Sequence, residues 1–359
     1  MASDASRPVR LWLWCVAALV FLTVVVGGAT RLTESGLSIV EWRPVTGMVP
    51  PLSQAEWAAE FEKYKVIPQY ELVNRGMSLD DFKVIYWWEW VHRILGRLIG
   101  VAFLLPFLWF LWRGAIAPGM RAGLVVIFIL GAVQGGVGWW MVASGLAERI
   151  HVSHDRLAFH FTLACVIYAA LIWTAARLLP ATAAAAAPVR LRVGAIVIVV
   201  LTLVQFFLGA LVAGLRAGLI YNTWPLMDDR FIPRSADLFF ASPVWVNFVE
   251  NAMTVQFNHR MAGYVLLLVA LVHLFDVWRT QDRGEGTLGW ATALTLAMVA
   301  QIGLGVLTLI HHVPIDLALL HQAGALVVLT IAVLHAERLP PRRAAQADEA
   351  KAALDARSV

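Results

Sequence analysis

Residues 86–97 read "YWWEWVHRILGR" and open an apolar run that continues to residue 112. Glu89, His92 and Arg93 thus stand among aromatic side chains at the mouth of a hydrophobic helix. The run behind them has the ~20 mostly apolar residues that a bilayer-spanning helix needs. Outward from it the same signature recurs, giving eight predicted spans at roughly 10–30, 90–112, 122–143, 158–178, 191–213, 258–278, 288–310 and 317–336. Hydrophobic residues make up 60% of the 359 and charged residues 14%. The expected fold class is an all-α integral membrane protein with eight transmembrane helices, arranged as two pseudo-symmetric four-helix bundles. The formal charge of +4 resides at span ends and predicts topology, not a nucleic-acid partner.

Arg7 and Arg10, Arg113 and Arg121, Arg177, Arg190 and Arg192, Arg279 and Arg283, and Arg338, Arg342 and Arg343 all fall on one side of an eight-span chain. That side is expected to be cytoplasmic, with both termini there. The outer side carries two substantial loops, 31–89 and 214–257. In the first, Ser53 and Glu56 form a capping-box pattern, and Trp57, Phe61 and Tyr64 share a helical face, which predicts an interfacial helix lying on the membrane. "SLDD" at 78–81 predicts a helix cap running into the second span. Cys15 and Cys165 lie inside apolar runs with no loop pair, so both are expected to be small buried residues.

The opening stretch has a twin. "EWVHRILGRLIG" (89–100) aligns with "QFNHRMAGYVLL" (256–267) at an offset of 167, as do Gln134, Gly136 and Gly138 with Gln301, Gly303 and Gly305. Gly27, Gly36, Leu37 and Trp42 align with Gly209, Gly218, Leu219 and Trp224 at 182. His160 aligns with His321 at 161. Four spans repeated in the same order predict a parallel repeat about an axis along the membrane normal. The expected units are 1–180, a linker at 181–189 ("ATAAAAAP" within it), 190–337, and a polar cytoplasmic tail at 338–359.

Four of ten histidines occupy repeat-equivalent positions near outer helix ends: His92, His160, His259 and His321. A lone histidine there is ordinarily structural, but four in equivalent places are costly within a membrane and point to function. Paired imidazoles without carboxylate or thiolate partners suit haem iron better than zinc. Two haem sites are therefore expected, on His92 with His160 and on His259 with His321. Gly96, Ala164, Gly263 and Gly324 lie a turn along and leave room for a macrocycle, while Gly131, Gly135 and Gly138 read as helix packing. Arg93 and Arg260 each follow a ligand candidate and can meet haem propionates or anchor their helices at the headgroups. His151, His154, His311 and His312 read as loop or rim residues, and His273 and His335 as snorkelling residues at inner helix ends.

Glu89 precedes His92 by three, on the same helix face, whereas its twin is Gln256. A carboxylate at one site and an amide at the other predicts acid-base chemistry in the first half and a permanent redox cofactor in the second. The alternative is an interfacial carboxylate paired with Arg93 or Arg97.

"GGATRLTESGLSIVEWRPVTG", "EWVHRILGR", "QGGVGWWMVASGL", "HDRLAFHFTLA", "NTWPLM", "QFNHRMAGY" and "LLHQAGAL" together resemble the haem A synthase family, from about residue 10 to 337. The resemblance implies oxidation of a haem O ring methyl to a formyl group, making haem A for terminal oxidases. It implies a haem B cofactor on His259 and His321, substrate haem O with His92 and His160, and a catalytic carboxylate at Glu89. It places the chain in the bacterial cytoplasmic membrane with its haem sites toward the outer side. The implied partners are haem O, membrane lipid and, by family logic, haem O synthase and oxidase assembly factors; no electron acceptor is named. Some family members carry a cysteine pair in the first outer loop, which this chain lacks. The rival readings are a di-haem electron-transfer protein and a non-enzymatic haem transporter or chaperone.

Overall fold

The computed structural model describes residues 6–179, 187–281, 284 and 286–339. Most of the expected linker, nearly all of the tail, and Arg283, Arg342 and Arg343 lie outside them. Eight helices are long and apolar enough to cross a membrane. They are α1 (Ser6–Leu32), α2 (Leu79–Trp112), α3 (Pro118–Ala143), α4 (His154–Ala176), α5 (Val189–Gly214), α6 (Ala252–Arg279), α7 (Thr287–Ile310) and α8 (Ile315–Glu337). No strand is present among the described residues.

Two helices start well before hydropathy predicts, because polar caps extend them beyond the apolar run. Ser78 and Asp81 form a capping box, so α2 runs unbroken from the outer loop past His92. Asn251 accepts from the backbone N–H groups of Met253 and Thr254 and starts α6 seven residues before His259. In both halves the histidine-bearing helix is thereby anchored on the N-terminal side of its ligand candidate.

Partners repeat between halves. Helix α1 packs on α2 and α4, and α3 on α4; likewise α5 packs on α6 and α8, and α7 on α8. The halves join where α4 meets α5 and α8, and where α1 meets α8. Their shared core brings Leu13, Val16, Val20 and Val24 of α1 against Leu171 and Ile172 of α4 and Leu326, Leu329 and Val333 of α8. Polar contacts cross the same seam. Tyr168 and Thr330 hydroxyls lie 2.8 Å apart, and the Gln322 amide donates to the Val24 carbonyl at 2.6 Å.

At the outer end of this seam, Arg31 donates to the Ala213 carbonyl and Arg216 pairs with Glu34. Both contacts join positions 182 apart, the offset of the repeat itself. Glu34 and Arg216 also share a left-handed backbone conformation (φ 56° and 54°), so the turn that ends α1 recurs at the end of α5.

The first outer loop forms a helix at Gln54–Lys65 with the expected capping box at Ser53 and Glu56. Its aromatic face is buried on protein rather than laid on lipid. Phe61 stacks on Phe82 at 4.9 Å, and Trp57 meets Tyr86 edge-on at 5.0 Å. The outer end of α2 offers its own aromatic row, and that is the surface the helix covers. Cys165 is buried as expected, whereas Cys15 is exposed.

Candidate functional site

Each of the four histidines lies against a glycine of a neighbouring helix. A methyl group built on Gly27 of α1 would stand 2.7 Å from Cε1 of His92, and one on Gly138 of α3 would stand 2.9 Å from Cε1 of His160. The second half repeats this: Gly209 of α5 would meet Cε1 of His259 at 3.0 Å, and Gly305 of α7 would meet Cε1 of His321 at 2.8 Å. Any side chain at these positions collides with the ring, so the glycines set how closely ring and helix approach.

The four rings are surrounded by protein yet keep partly accessible surface. His92 and His160 are close enough to interact electrostatically, as are His259 and His321. Buried polar atoms around them lack protein partners, namely Nδ1 of His92 and His160 and Oε1 of Gln134, Gln205 and Gln301. Among the described residues no cluster of three or more His, Cys, Asp or Glu could hold a free metal ion. Paired imidazoles with unpartnered polar atoms about them suit an iron that brings its own four equatorial nitrogens. The residues present therefore fit haem in each half.

His273 and His335 provide an internal contrast. They lie 14 residues further along α6 and α8 than His259 and His321. They do not snorkel. Both are buried, at 5% and 1% exposure, and their Nε2 atoms are 2.8 Å apart. This pair closes on itself and fastens α6 to α8; no gap separates the rings.

Glu89 is 3% exposed and takes four hydrogen bonds. Ser38 Oγ donates to Oε2 at 2.7 Å and the Ile39 N–H at 2.9 Å; Arg93 donates to Oε1 from Nε at 3.0 Å and from Nη2 at 2.6 Å. Arg93 also donates to the Glu41 and Ile39 carbonyls at 3.0 and 2.7 Å. Its fork is thus turned to the outer loop. In the second half, Gln256 donates to the Ala217 and Tyr221 carbonyls at 2.8 and 3.3 Å and accepts from Arg260 at 2.9 Å. Arg260 also reaches the Tyr221 carbonyl at 2.9 Å, and its buried Nε–H has no partner. A cavity of about 290 Å³ lies on the far side of Arg93, lined by Tyr86, Arg97, Glu41 and Glu60. None of the four histidines lines it.

The matching family model, COX15-CtaA, described as "Cytochrome oxidase assembly protein", covers residues 10–333. This chain belongs to that family. Relatives named "Heme A synthase" are similar across nearly the whole length of this cytochrome oxidase assembly family member. One from Bradyrhizobium sp. strain BTAi1 is 58% identical, with 94% of this chain and 92% of the relative covered. One from Rhodopseudomonas palustris strain BisB5 is 58% identical, with 95% and 93% covered. One from Bradyrhizobium sp. strain ORS 278 is 56% identical, with 98% and 96% covered. With its eight spans, this family member is a multi-pass membrane protein.

Several features of the site escape the pattern of the sequence. Gly263 and Gly324 face the amides of Gln205 and Gln301, so they make room for glutamines rather than for a macrocycle directly. A methyl on Gly131 or Gly135 would meet open space, so these two are not helix contacts, and Gly138 faces His160. Of the rim histidines, His154 is buried, beside Glu250 of the second outer loop at 3.4 Å. Burial first, and then the charge of Arg31, lower the pKa of His151 from its ordinary value.

Proposed function

We propose that this chain is a haem A synthase, an oxidoreductase that converts a ring methyl of haem O into a formyl group. The observation that carries the reading is the pair of two-histidine sites, each ring set against a glycine and only partly buried. It stands in a chain 58% identical to relatives named "Heme A synthase". Haem B belongs in the half 190–337 on His259 and His321, and haem O in the half 1–180 on His92 and His160. Segment 181–189 links them, and 338–359 is a cytoplasmic tail. The arginine distribution supports cytoplasmic termini and outward-facing sites in a bacterial inner membrane. Arg260 keeps a buried N–H free for a propionate, whereas Arg93 serves chiefly to orient Glu89.

Bound haem B supplies one-electron redox chemistry beside the substrate site. Two imidazoles on the substrate iron leave no axial position for dioxygen. We therefore favour water as the oxygen source. Two rounds of hydration and two-electron oxidation take the methyl through hydroxymethyl to a gem-diol, which loses water to give the aldehyde. Overall four electrons and four protons leave and one water oxygen stays. Glu89 receives protons or balances a cationic carbon, after giving up one of its four bonds. The Ser38 hydroxyl is its one neutral side-chain partner and has another acceptor to turn to, the Ile85 carbonyl at 3.3 Å.

The substrate half is also the more open one. Helices α2 and α3 are each 11% buried over their most apolar window, against 22% for α6 and α7. Gly96, Gly100, Gly131 and Gly135 face open space, where the other half has Gly263, Leu267, Met298 and Ile302. This supports access for an apolar substrate from the lipid between α2 and α3.

The test is to express the chain in a host that makes haem O, extract its haems and weigh them. Haem B together with haem O, a hydroxylated intermediate or haem A is expected. Haem B alone at two per chain would replace this reading with a di-haem electron-transfer protein. Label appearing in the formyl group from oxygen gas, before exchange with water, would remove the water route.

A further inference from the structure

The histidine rings are not held alike. In the second half, the Gln205 amide nitrogen lies 2.9 Å from the backbone carbonyl of His259 and 3.1 Å from its Nδ1. Gln301 repeats this on His321, at 2.7 and 2.9 Å. Each glutamine thus ties a ring to its own helix and fixes the rotation of the imidazole. An amide can serve Nδ1 in either protonation state, but when it turns over to accept from Nδ1–H it gives up the carbonyl. In the first half the hold weakens. Gln134 reaches the His160 carbonyl at 2.9 Å but meets the ring only at Nε2, at 3.5 Å, and Nδ1 of that ring has no partner. At His92 the side-chain hold is gone, and what remains beside the ring is the Thr23 backbone, as the Gln205 and Gln301 backbones lie beside His259 and His321. The position equivalent to Gln205 is Thr23, whose hydroxyl donates to the Leu19 carbonyl at 2.7 Å within its own helix. Nδ1 of His92 is buried with no side-chain partner. The space that Gln205 fills against Gly263, at 3.3 Å, is open at the equivalent Gly96.

A second partner on a ligating histidine orients the ring and strengthens the bond to the metal, and its loss typically costs 10–100-fold in affinity. We propose that Gln205 and Gln301 are positioning residues that lock a resident haem in the second half. The missing glutamine at Thr23 makes His92 the ligand that lets go, so that haem is loaded and released on the His92 side of the first half. A substrate that must leave as product needs such a ligand, and a permanent cofactor does not. The assignment of release to product rests on the haem A synthase reading; the unequal hold on the rings does not.

The experiment uses the full chain in detergent, from a host without haem O, so that haem B is the only probe. Transfer to apomyoglobin is timed, with low-spin electron paramagnetic resonance and the haem midpoint potential followed alongside. Gln205→Thr installs the residue the first half already carries and is expected to speed loss of the second-half haem about 10–100-fold. Thr23→Gln is expected to slow loss from the first half by a similar factor. Gln205→Glu separates ring-holding from simple helix fastening. A carboxylate cannot donate to the His259 carbonyl but can accept from Nδ1, so retention should recover and the midpoint potential fall. Wild-type loss rates and resonance in Gln205→Thr would overturn the proposal, as would a Gln205→Glu variant that loses haem as fast as Gln205→Thr. Failure of the synthase reading would appear elsewhere, as absence of haem O products in a host that makes haem O, and leaves the Gln205 result standing.

Discussion

The two halves fasten their outer loops to the ligand-bearing helix with the same bracket, built with opposite polarity. In the first, the loop donates, through Ser38 Oγ and the Ile39 N–H, to the carboxylate of Glu89. In the second, the loop accepts, through the Ala217 and Tyr221 carbonyls, from the amide of Gln256. An arginine four residues on completes both, and each reaches the carbonyl of an equivalent loop residue, Ile39 or Tyr221. A neutral amide therefore suffices for the mechanical task. The first half carries a buried negative charge that fastening does not require, and such charges are costly unless paired. The comparison separates what the scaffold needs from what the chemistry needs.

The largest effect expected is on haem itself. His321→Ala should remove haem B from the second half while the first-half site still fills, and His160→Ala should do the reverse. Haem per chain, measured as the pyridine haemochrome, checks both. Loss of both haems from either variant would mean that the halves do not bind independently.

Next comes Glu89→Gln, which gives the first half the second half's residue. Oxidation should fall by at least about 100-fold, the scale of one acid-base group, with the haem B spectrum unchanged. The amide would meet the Ile39 N–H with a donor where an acceptor belongs. Product analysis must therefore be read beside haem B content, which reports whether the loop has come loose. Full turnover in this variant would leave Glu89 as fastening alone. The reverse swap, Gln256→Glu, should leave chemistry intact and take one donor from each of two loop carbonyls, with Ala217 keeping the Ile220 N–H and Tyr221 keeping Arg260. That costs about 1–3 kcal/mol, visible as a lower thermal midpoint followed at the haem B Soret band. An unchanged midpoint would mean the second bracket does not bear on stability.

The legible parts of this molecule were those written as periodicity or as repetition. Eight apolar runs give eight helices, because a span must satisfy its own backbone in lipid. Both capping boxes are short-range patterns and fold as they read. The four histidines stand out because repeat alignment turns a scattered residue type into two pairs. What stayed hidden depends on orientation around a helix. Gly263 and Gly324 are spaced like macrocycle clearance, yet each faces a glutamine from a neighbouring helix, and only the helix rotation settles which. His273 and His335 sit where snorkelling is plausible, but 14 residues of helix bring both inward, to within 2.8 Å of each other. The aromatic face of Gln54–Lys65 is what a membrane-surface helix would show, and α2 simply offers it a nearer apolar partner. Gln205 carried no local signal; the clue was its absence at the equivalent Thr23, which matters only once the ring beside it is seen.

The smallest effect expected is the most discriminating. Ser38 has no hydroxyl twin, since its equivalent is Ile220. Ser38→Ala would leave Glu89 with Arg93 and the Ile39 N–H, and so keep the bracket closed. A hydrogen bond to a charged group contributes about 1.5–3 kcal/mol, but this one joins a short loop to a helix already fastened three other ways. The loss in stability should fall at or below the low end of that range. If Glu89 only fastens the loop, turnover should be unchanged. If Glu89 moves protons, the hydroxyl is the partner that trades places with the reacting group, and turnover should fall several-fold while haem content and thermal midpoint hardly move. Turnover and stability falling together would instead assign Ser38 to the scaffold, and would leave the charge on Glu89 as the single chemical difference between the two brackets.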